Sequence, residues 1–384
     1  MRNLSKFHLV PISGAIIAMP GLELGGLSIS YVPCFFALLL LPRIIQDLPK
    51  TIIALFILGF TSLSLEFFFP TSQSFLSGRF RTATNLINTK FAISVQNENL
   101  ILWLKFSIAL LGGVTIATYA YKKSVQSNLV NGFLTGSLIS VLYSFFSLKP
   151  GEGAFLQSYG LGRTNTTFGM ICTFAIGLLF HHKISSRIRT PLLLLFLCGS
   201  LVSGSRGAAA TAALSLYFIF IWRKSVSKAI WLGWFSLVVL LAIQEFSRSL
   251  FGIIGVRALT QNQSTQTSSQ LRNLLRSQAI LDWAHDPLGG VGFSVLTQGH
   301  NTYLQTLAAG GILLFLGYVL IDIQSLVLSI RIQTGSANGY ILGLVSCAIF
   351  NHFTQNQIDV PFLYLVLGII LVETSTQMKR IHRQ

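Results

Sequence analysis

The chain has 384 residues, of which 52% are hydrophobic and only 10% charged, with a mean hydropathy of +0.66 and a formal charge of +16. This composition excludes an ordinary soluble domain, and apolar runs from end to end leave room for one integral membrane domain, residues 1–384, without a soluble catalytic module. The positive charge does not point to nucleic acid, because Lys and Arg sit in short clusters between apolar runs and form no stripe with interleaved aromatics.

In chain order, at about 20 mainly apolar residues per helical span, the sequence predicts an all-α, polytopic transmembrane helical bundle of roughly twelve spans. They fall at 9–19, 27–41, 52–69, 100–121, 129–148, 166–180, 191–202, 208–222, 229–243, 302–321, 340–350 and 361–372. The first follows Arg2 and Lys6 like a signal peptide, but Pro11 interrupts it and no A-x-A site follows, so it reads as a retained span. Arg43 with Lys50, Lys122 with Lys123, Lys183 with Arg187 and Arg189, Arg223 with Lys224 and Lys228, Arg331, and Lys379 with Arg380 and Arg383 occupy alternate connections. The positive-inside rule then places these connections and both termini in the cytoplasm. Residues 71–99 break the pattern, with Arg79, Arg81 and Lys90 on the outer side. Their alternation fits an interfacial helix or a pair of half-spans.

The connection 246–299 is then external. Its Gln, Ser, Thr and Asn tract at 260–270 lacks a hydrophobic period and predicts a loop. Leu271, Leu274, Leu275 and Trp283 recur at helical spacing before Pro287, Gly289 and Gly290, which predicts a short amphipathic helix over the outer, periplasmic mouth. Cys34, Cys172, Cys198 and Cys347 all fall in apolar runs and predict free, buried thiols.

Four external positions stand out. Gly204 and Gly207 permit a tight reversal around Arg206, and Ser205 can cap the helix that follows. A guanidinium beside a helix N-terminus suits a pyrophosphate, although an interfacial Arg bound to lipid headgroups fits the same position. Arg272 and Arg276 lie one turn apart on one face, a repulsion that an anion relieves; a solvated face or contact with anionic lipid is the alternative. His300 and Asn301 open the run at 302, where a helix N-terminus favours a neutral imidazole able to act as a general base; a structural His is the alternative. Arg163 precedes Thr164, Asn165, Thr166 and Thr167, which can cap the next helix. It reads as a further anion ligand or an interfacial anchor. There is no P-loop, H-E-x-x-H, D-x-D or G-x-S-x-G, and the external acids Glu23, Glu152, Asp282, Asp286 and Asp359 are scattered. Neither a cofactor nor a metal is expected.

Ser-Gly-Ser-Arg-Gly at 203–207, the run 272–292 ending Asp-Pro-Leu-Gly-Gly-Val-Gly, and His300-Asn301-Thr-Tyr-Leu-Gln resemble the O-antigen ligase and polymerase superfamily, over about 162–317. The resemblance implies an inner-membrane, metal-independent, inverting glycosyltransferase whose donor is an undecaprenyl pyrophosphate-linked glycan. It implies that Arg206 and Arg272 hold the donor, Arg163 lines its site and His300 activates the acceptor hydroxyl. Arg276 departs from the family's R-x-x-x-W pattern, and no large periplasmic domain follows the last span. A ligase acting on lipid A-core and a polymerase extending the growing glycan share this chemistry. A transporter of an anionic substrate would instead show charged or broken helices at mid-membrane. The sequence displays neither clearly, since Asp322 and Lys105 read as lying near span ends and Glu66 near the outer end of its span.

Overall fold

The computed structural model describes residues 4–25, 27–71, 95–150, 156–162, 164–181, 184–222, 263–293, 301–332, 339–354 and 358–381. The expected span 229–243 and most of the surface segment 71–99 lie outside them, as do Arg163 and His300.

The described residues form a helical bundle, and the strands among them are limited to two hairpins of two-residue strands, Glu23–Leu24 with Leu27–Ser28 and Lys149–Pro150 with Leu156–Gln157. The helices are α1 (Leu4–Ile17), α2 (Tyr31–Ala37), α3 (Leu41–Ile44), α4 (Lys50–Phe68), α5 (Val95–Ser107), α6 (Gly113–Lys122) and α7 (Gln126–Phe146). They continue with α8 (Asn165–Leu178), α9 (Ser186–Val202), α10 (Arg206–Trp222), α11 (Gln263–His285), α12 (Thr302–Ile332), α13 (Gly339–Thr354) and α14 (Pro361–Ile381). A π-turn at Ile108–Gly112 joins α5 and α6 into one rod. Among the described residues, five helical stretches are long and apolar enough to cross a membrane: Lys50–Phe68, Asn99–Lys122, Gln126–Phe146, Thr302–Ile332 and Pro361–Met378. Asn165–Leu178, Gly207–Ile219 and Tyr340–Phe353 are shorter apolar helices. The stretch 27–41, expected as one span, is a string of short pieces: Tyr31–Ala37 carries Pro33 in its first turn, where Pro is tolerated, and Pro42 has no N–H to continue that helix through Leu38.

Between helices in lipid, close packing replaces the hydrophobic drive, so small residues mark the tightest crossings. α1 lies along α7 where a Cβ on Gly132 would sit 2.0 Å from Pro11 O and one on Gly136 2.3 Å from Ala15 O. The π-turn brings Gly112 equally close to Cys34, whose carbonyl oxygen would lie 2.4 Å from an added Cβ. The outer surface is rich in exposed Phe, Leu and Ile, among them Phe35, Phe36, Phe60 and Leu194. That surface suits an apolar solvent.

The two ends of the bundle differ in charge. Asn99–Lys122 and α7 are joined by a reversal in which Ser124 takes a positive φ of 58°, so Asn99 and Phe146 share one end. Lys122 and Lys123 share the other with Asp47, whose carboxylate is 2.6 Å from Lys122 Nζ. This exposed pair contributes little to stability. Arg43, Lys50, Arg187, Arg189 and Arg331 also lie toward that basic end. The starts of α8 and α10 lie at the Asn99 end: Ser147 Oγ meets Ser158 Oγ at 2.8 Å, and Ser158 N donates to Val202 O.

Two further expectations need correction. The polar tract 260–270 is helical from Gln263 onward, since Gln, Ser and Thr carry only weak helix penalties and no Gly or Pro interrupts them. Cys34, Cys172 and Cys347 are buried, but Cys198 is exposed on the outside of α9, where an apolar thiol meets the same solvent as its Leu neighbours.

Candidate functional site

The site region is built on a break in α12. Gly311 has φ 60° and ψ −160°, which no L side chain adopts readily, and it separates Thr302–Gly310 from Ile312–Ile332. In a straight helix Tyr303 and Asp322 would be about 28 Å apart. Instead the Tyr303 phenol donates to Asp322 Oδ2, and the Tyr303 ring packs on Phe315 with centroids 6.2 Å apart. Thr302–Gly310 therefore folds back along Ile312–Ile332 as a half-helix. Ile312–Ile332 alone is about 31 Å long, still enough to span.

The Asp-Pro-Leu-Gly-Gly-Val-Gly run clasps this reversal. Val291 N and Gly292 N donate to Ala308 O and Ala309 O at 2.8 and 3.1 Å, and Ile312 N donates to Pro287 O at 2.9 Å. The clasp thereby satisfies carbonyls that the end of the half-helix would leave orphaned. Asp286 Oδ1 accepts from Gly289 N at 3.1 Å, and Ser62 Oγ donates to Gly289 O at 2.9 Å, which ties the clasp to α4. An added Cβ on Gly292 would strike the Asn99 side chain, so the clasp lies at the Asn99 end. Glu66, near the C-terminus of α4 as expected, is buried and accepts from Thr71 N and Oγ1.

Asn301 caps the half-helix, its Oδ1 accepting from Leu304 N at 3.0 Å. The fold-back carries this cap away from the clasp and toward Asp322, which lies ten residues from each end of Ile312–Ile332. Asp322 thus occupies the middle of a span, contrary to the expectation that it lies near an end; an unbroken reading of the apolar run had hidden the reversal. His352 Nδ1 of α13 is 2.8 Å from the same Asp322 Oδ2, with the two side chains only 1% and 7% exposed. The Tyr303 and Tyr318 rings flank His352 edge-on at 5.6 and 5.7 Å. Asp322 Oδ1 and His352 Nε2 are buried and have no hydrogen-bond partner among the described residues.

α11 packs against α12. Its Arg272 and Arg276 are both partly buried, each with a shielded Nε, and the Nε of Arg276 has no hydrogen-bond partner among the described residues. Leu274 is 56% exposed, whereas Ala279 and Asp282 are buried, with Gln278 Nε2 donating to Asp282 Oδ1 at 2.8 Å.

Arg206 opens α10, preceded by Gly204 with φ 66°, and Ser205 Oγ accepts from Ala208 N at 3.3 Å, the expected reversal and cap. Thr164, next to Arg163, caps α8 by accepting from Thr167 N at 3.1 Å. These two helix starts are adjacent, since a Cβ on Gly169 would meet Ala208 and Ser203. α13 packs on both α10 and α12 and joins this group to the half-helix. Among the described residues, no three of His, Cys, Asp or Glu converge as a metal would need.

Tyr303, Asp322 and His352 were not singled out from the sequence as site residues. The available signals were an Asp and a His within apolar runs, and the Gly310-Gly311 pair inside one of them. No protein-family model matches the chain, and no curated protein matches it.

Proposed function

We propose that the chain is a multi-pass inner-membrane glycosyltransferase of about twelve spans, its Asn99 end facing the periplasm. It moves a glycan from an undecaprenyl pyrophosphate-linked donor to an acceptor hydroxyl, as an O-antigen ligase does. The gathering of basic residues at the opposite end supports this orientation. The observation that carries the reading is the Arg272 and Arg276 pair: one turn apart, partly buried, on the helix that packs against α12, whose half-helix Asn301 caps. Two neighbouring guanidinium groups favour a diphosphate, whose oxygens supply the acceptor that Arg276 Nε lacks among the described residues. Arg163 and Arg206, beside the two capped helix starts, extend the donor site. His300, adjacent to Asn301, takes the proton from the acceptor hydroxyl as the anomeric carbon–oxygen bond to pyrophosphate breaks.

The test is transfer by purified protein from an undecaprenyl pyrophosphate-linked oligosaccharide, offered lipid A-core or a second donor molecule as acceptor. Product on lipid A-core marks a ligase, and lengthened donor marks a polymerase. Loss of transfer in folded His300→Ala and Arg276→Ala supports the site, whereas unchanged rates in both would overturn it.

Transport of an anionic substrate is favoured by one observation, the broken α12 with a carboxylate at the middle of its spanning segment. Uptake by proteoliposomes in the absence of any transfer would replace the enzyme reading with this one.

A further inference from the structure

Asp322 and His352 meet inside the bundle, Oδ2 to Nδ1 at 2.8 Å, with both side chains buried. A carboxylate in the middle of a span is costly and persists when it has donors and a task. Two groups from different segments meet on one oxygen: the phenol of Tyr303 from the half-helix donates to it, and His352 Nδ1 from α13 lies 2.8 Å away. Tyr303 sits in the first turn after the Asn301 cap, so whatever fixes Tyr303 also fixes Asn301. The clasp at Gly290 and Gly311 holds the other end of the half-helix. The Tyr303–Asp322 hydrogen bond is a tie at its start, so its loss loosens the end that carries Asn301.

We propose that Asp322 is a positioning residue for the candidate site: held by His352, it grips the Tyr303 phenol and sets where the Asn301 end of the half-helix sits against α13. Its effect on turnover rests on the glycan-transfer reading; its effect on the half-helix does not.

Tyr303→Phe removes one hydrogen bond and keeps the ring contacts to Phe315, His352 and Phe353. Asp322→Asn removes the charge at nearly constant volume. Thr51→Val, which loses the Thr51–Gln324 contact on the same spanning segment, is the control for a mere loss of stability. Amide hydrogen exchange is followed over 302–310 and 312–332, alongside the kinetics of transfer. The expected result is faster exchange confined to 302–310 in Tyr303→Phe and Asp322→Asn. The kcat for transfer falls roughly ten- to a hundredfold while the donor KM stays within about twofold. The double variant is no slower than Asp322→Asn alone, and Thr51→Val changes neither readout.

Unchanged exchange over 302–310 overturns the proposal whatever the kinetics. Faster exchange with an unchanged kcat reduces Asp322 to a structural tie and overturns its positioning role. If the wild type transfers to no acceptor, the glycan-transfer reading and the turnover claim fall together, while the exchange arm still decides whether Asp322 holds the half-helix.

Discussion

Gly290 and Gly311 meet backbone to backbone, with left-handed φ values of 72° and 60°, and a Cβ on Gly290 would lie 2.5 Å from Gly311 N. On the other side, a Cβ on Gly311 would fall 2.2 Å from Leu288 O. Neither position accepts a side chain without moving backbone, and both belong to the turn that reverses α12.

Gly311→Ala is therefore expected to destabilise the protein by roughly 3 kcal/mol, from strained φ plus an unavoidable clash. Gly25 provides the contrast: its φ is 58°, but nothing lies within 4 Å of an added Cβ, so Gly25→Ala should cost only about 1 kcal/mol. Thermal unfolding in detergent, with both variants run beside the wild type, checks the difference. Equal shifts would mean that backbone strain alone, and not the packed clasp, sets the cost.

This clasp also shows where the sequence was legible and where it was not. The segments 100–121, 129–148 and 361–372 were found close to their observed positions, because each is an apolar run bounded by polar or Pro-containing ends. The reversal at Gly311 left no such boundary. Ala308 to Leu316 is apolar on both sides of the glycine pair, so hydrophobicity alone reads one continuous span. Asp322 was consequently placed near an end, and its pairing with His352, thirty residues away, carries no periodic signal at all. The caps at Thr164 and Ser205 were legible, since Ser and Thr before an apolar run have one preferred use. The outward face of Leu274 was not, because spacing identifies a helical face without saying what covers it.

Arg276→Ala should raise the donor KM about 10- to 100-fold, the range for losing a charge-assisted hydrogen bond worth roughly 1.5–3 kcal/mol. Arg276→Lys keeps the charge but not the planar fork and should recover only part of the loss. Initial rates against donor concentration read both. A wild-type KM in Arg276→Ala would remove this residue from the donor site.

Helix starts at the same end can be probed without substrate. Thr164→Ala loses the bond from Thr167 N and should cost about 1 kcal/mol, whereas Thr164→Ser retains the accepting oxygen and should cost much less. Melting temperatures of the two variants decide whether the cap contributes as its geometry suggests.

The cysteines give a test of the packing. In detergent, a lipophilic maleimide should modify Cys198 in the folded protein, while Cys34, Cys172 and Cys347 react only after denaturation. Mass spectrometry of the labelled peptides distinguishes them. Early labelling of Cys34 would contradict its close packing beneath Gly112.

The half-helix also constrains the order in which the protein is put together. Thr302–Gly310 is about 13.5 Å long, less than half the thickness of a bilayer core, and leaves the ribosome before Ile312–Ile332 and α13. Its anchors, Asp322 and His352, are therefore synthesised after it. The segment that carries Asn301 can dock only once two later helices stand in the membrane, which makes the candidate site among the last parts of the molecule to assemble.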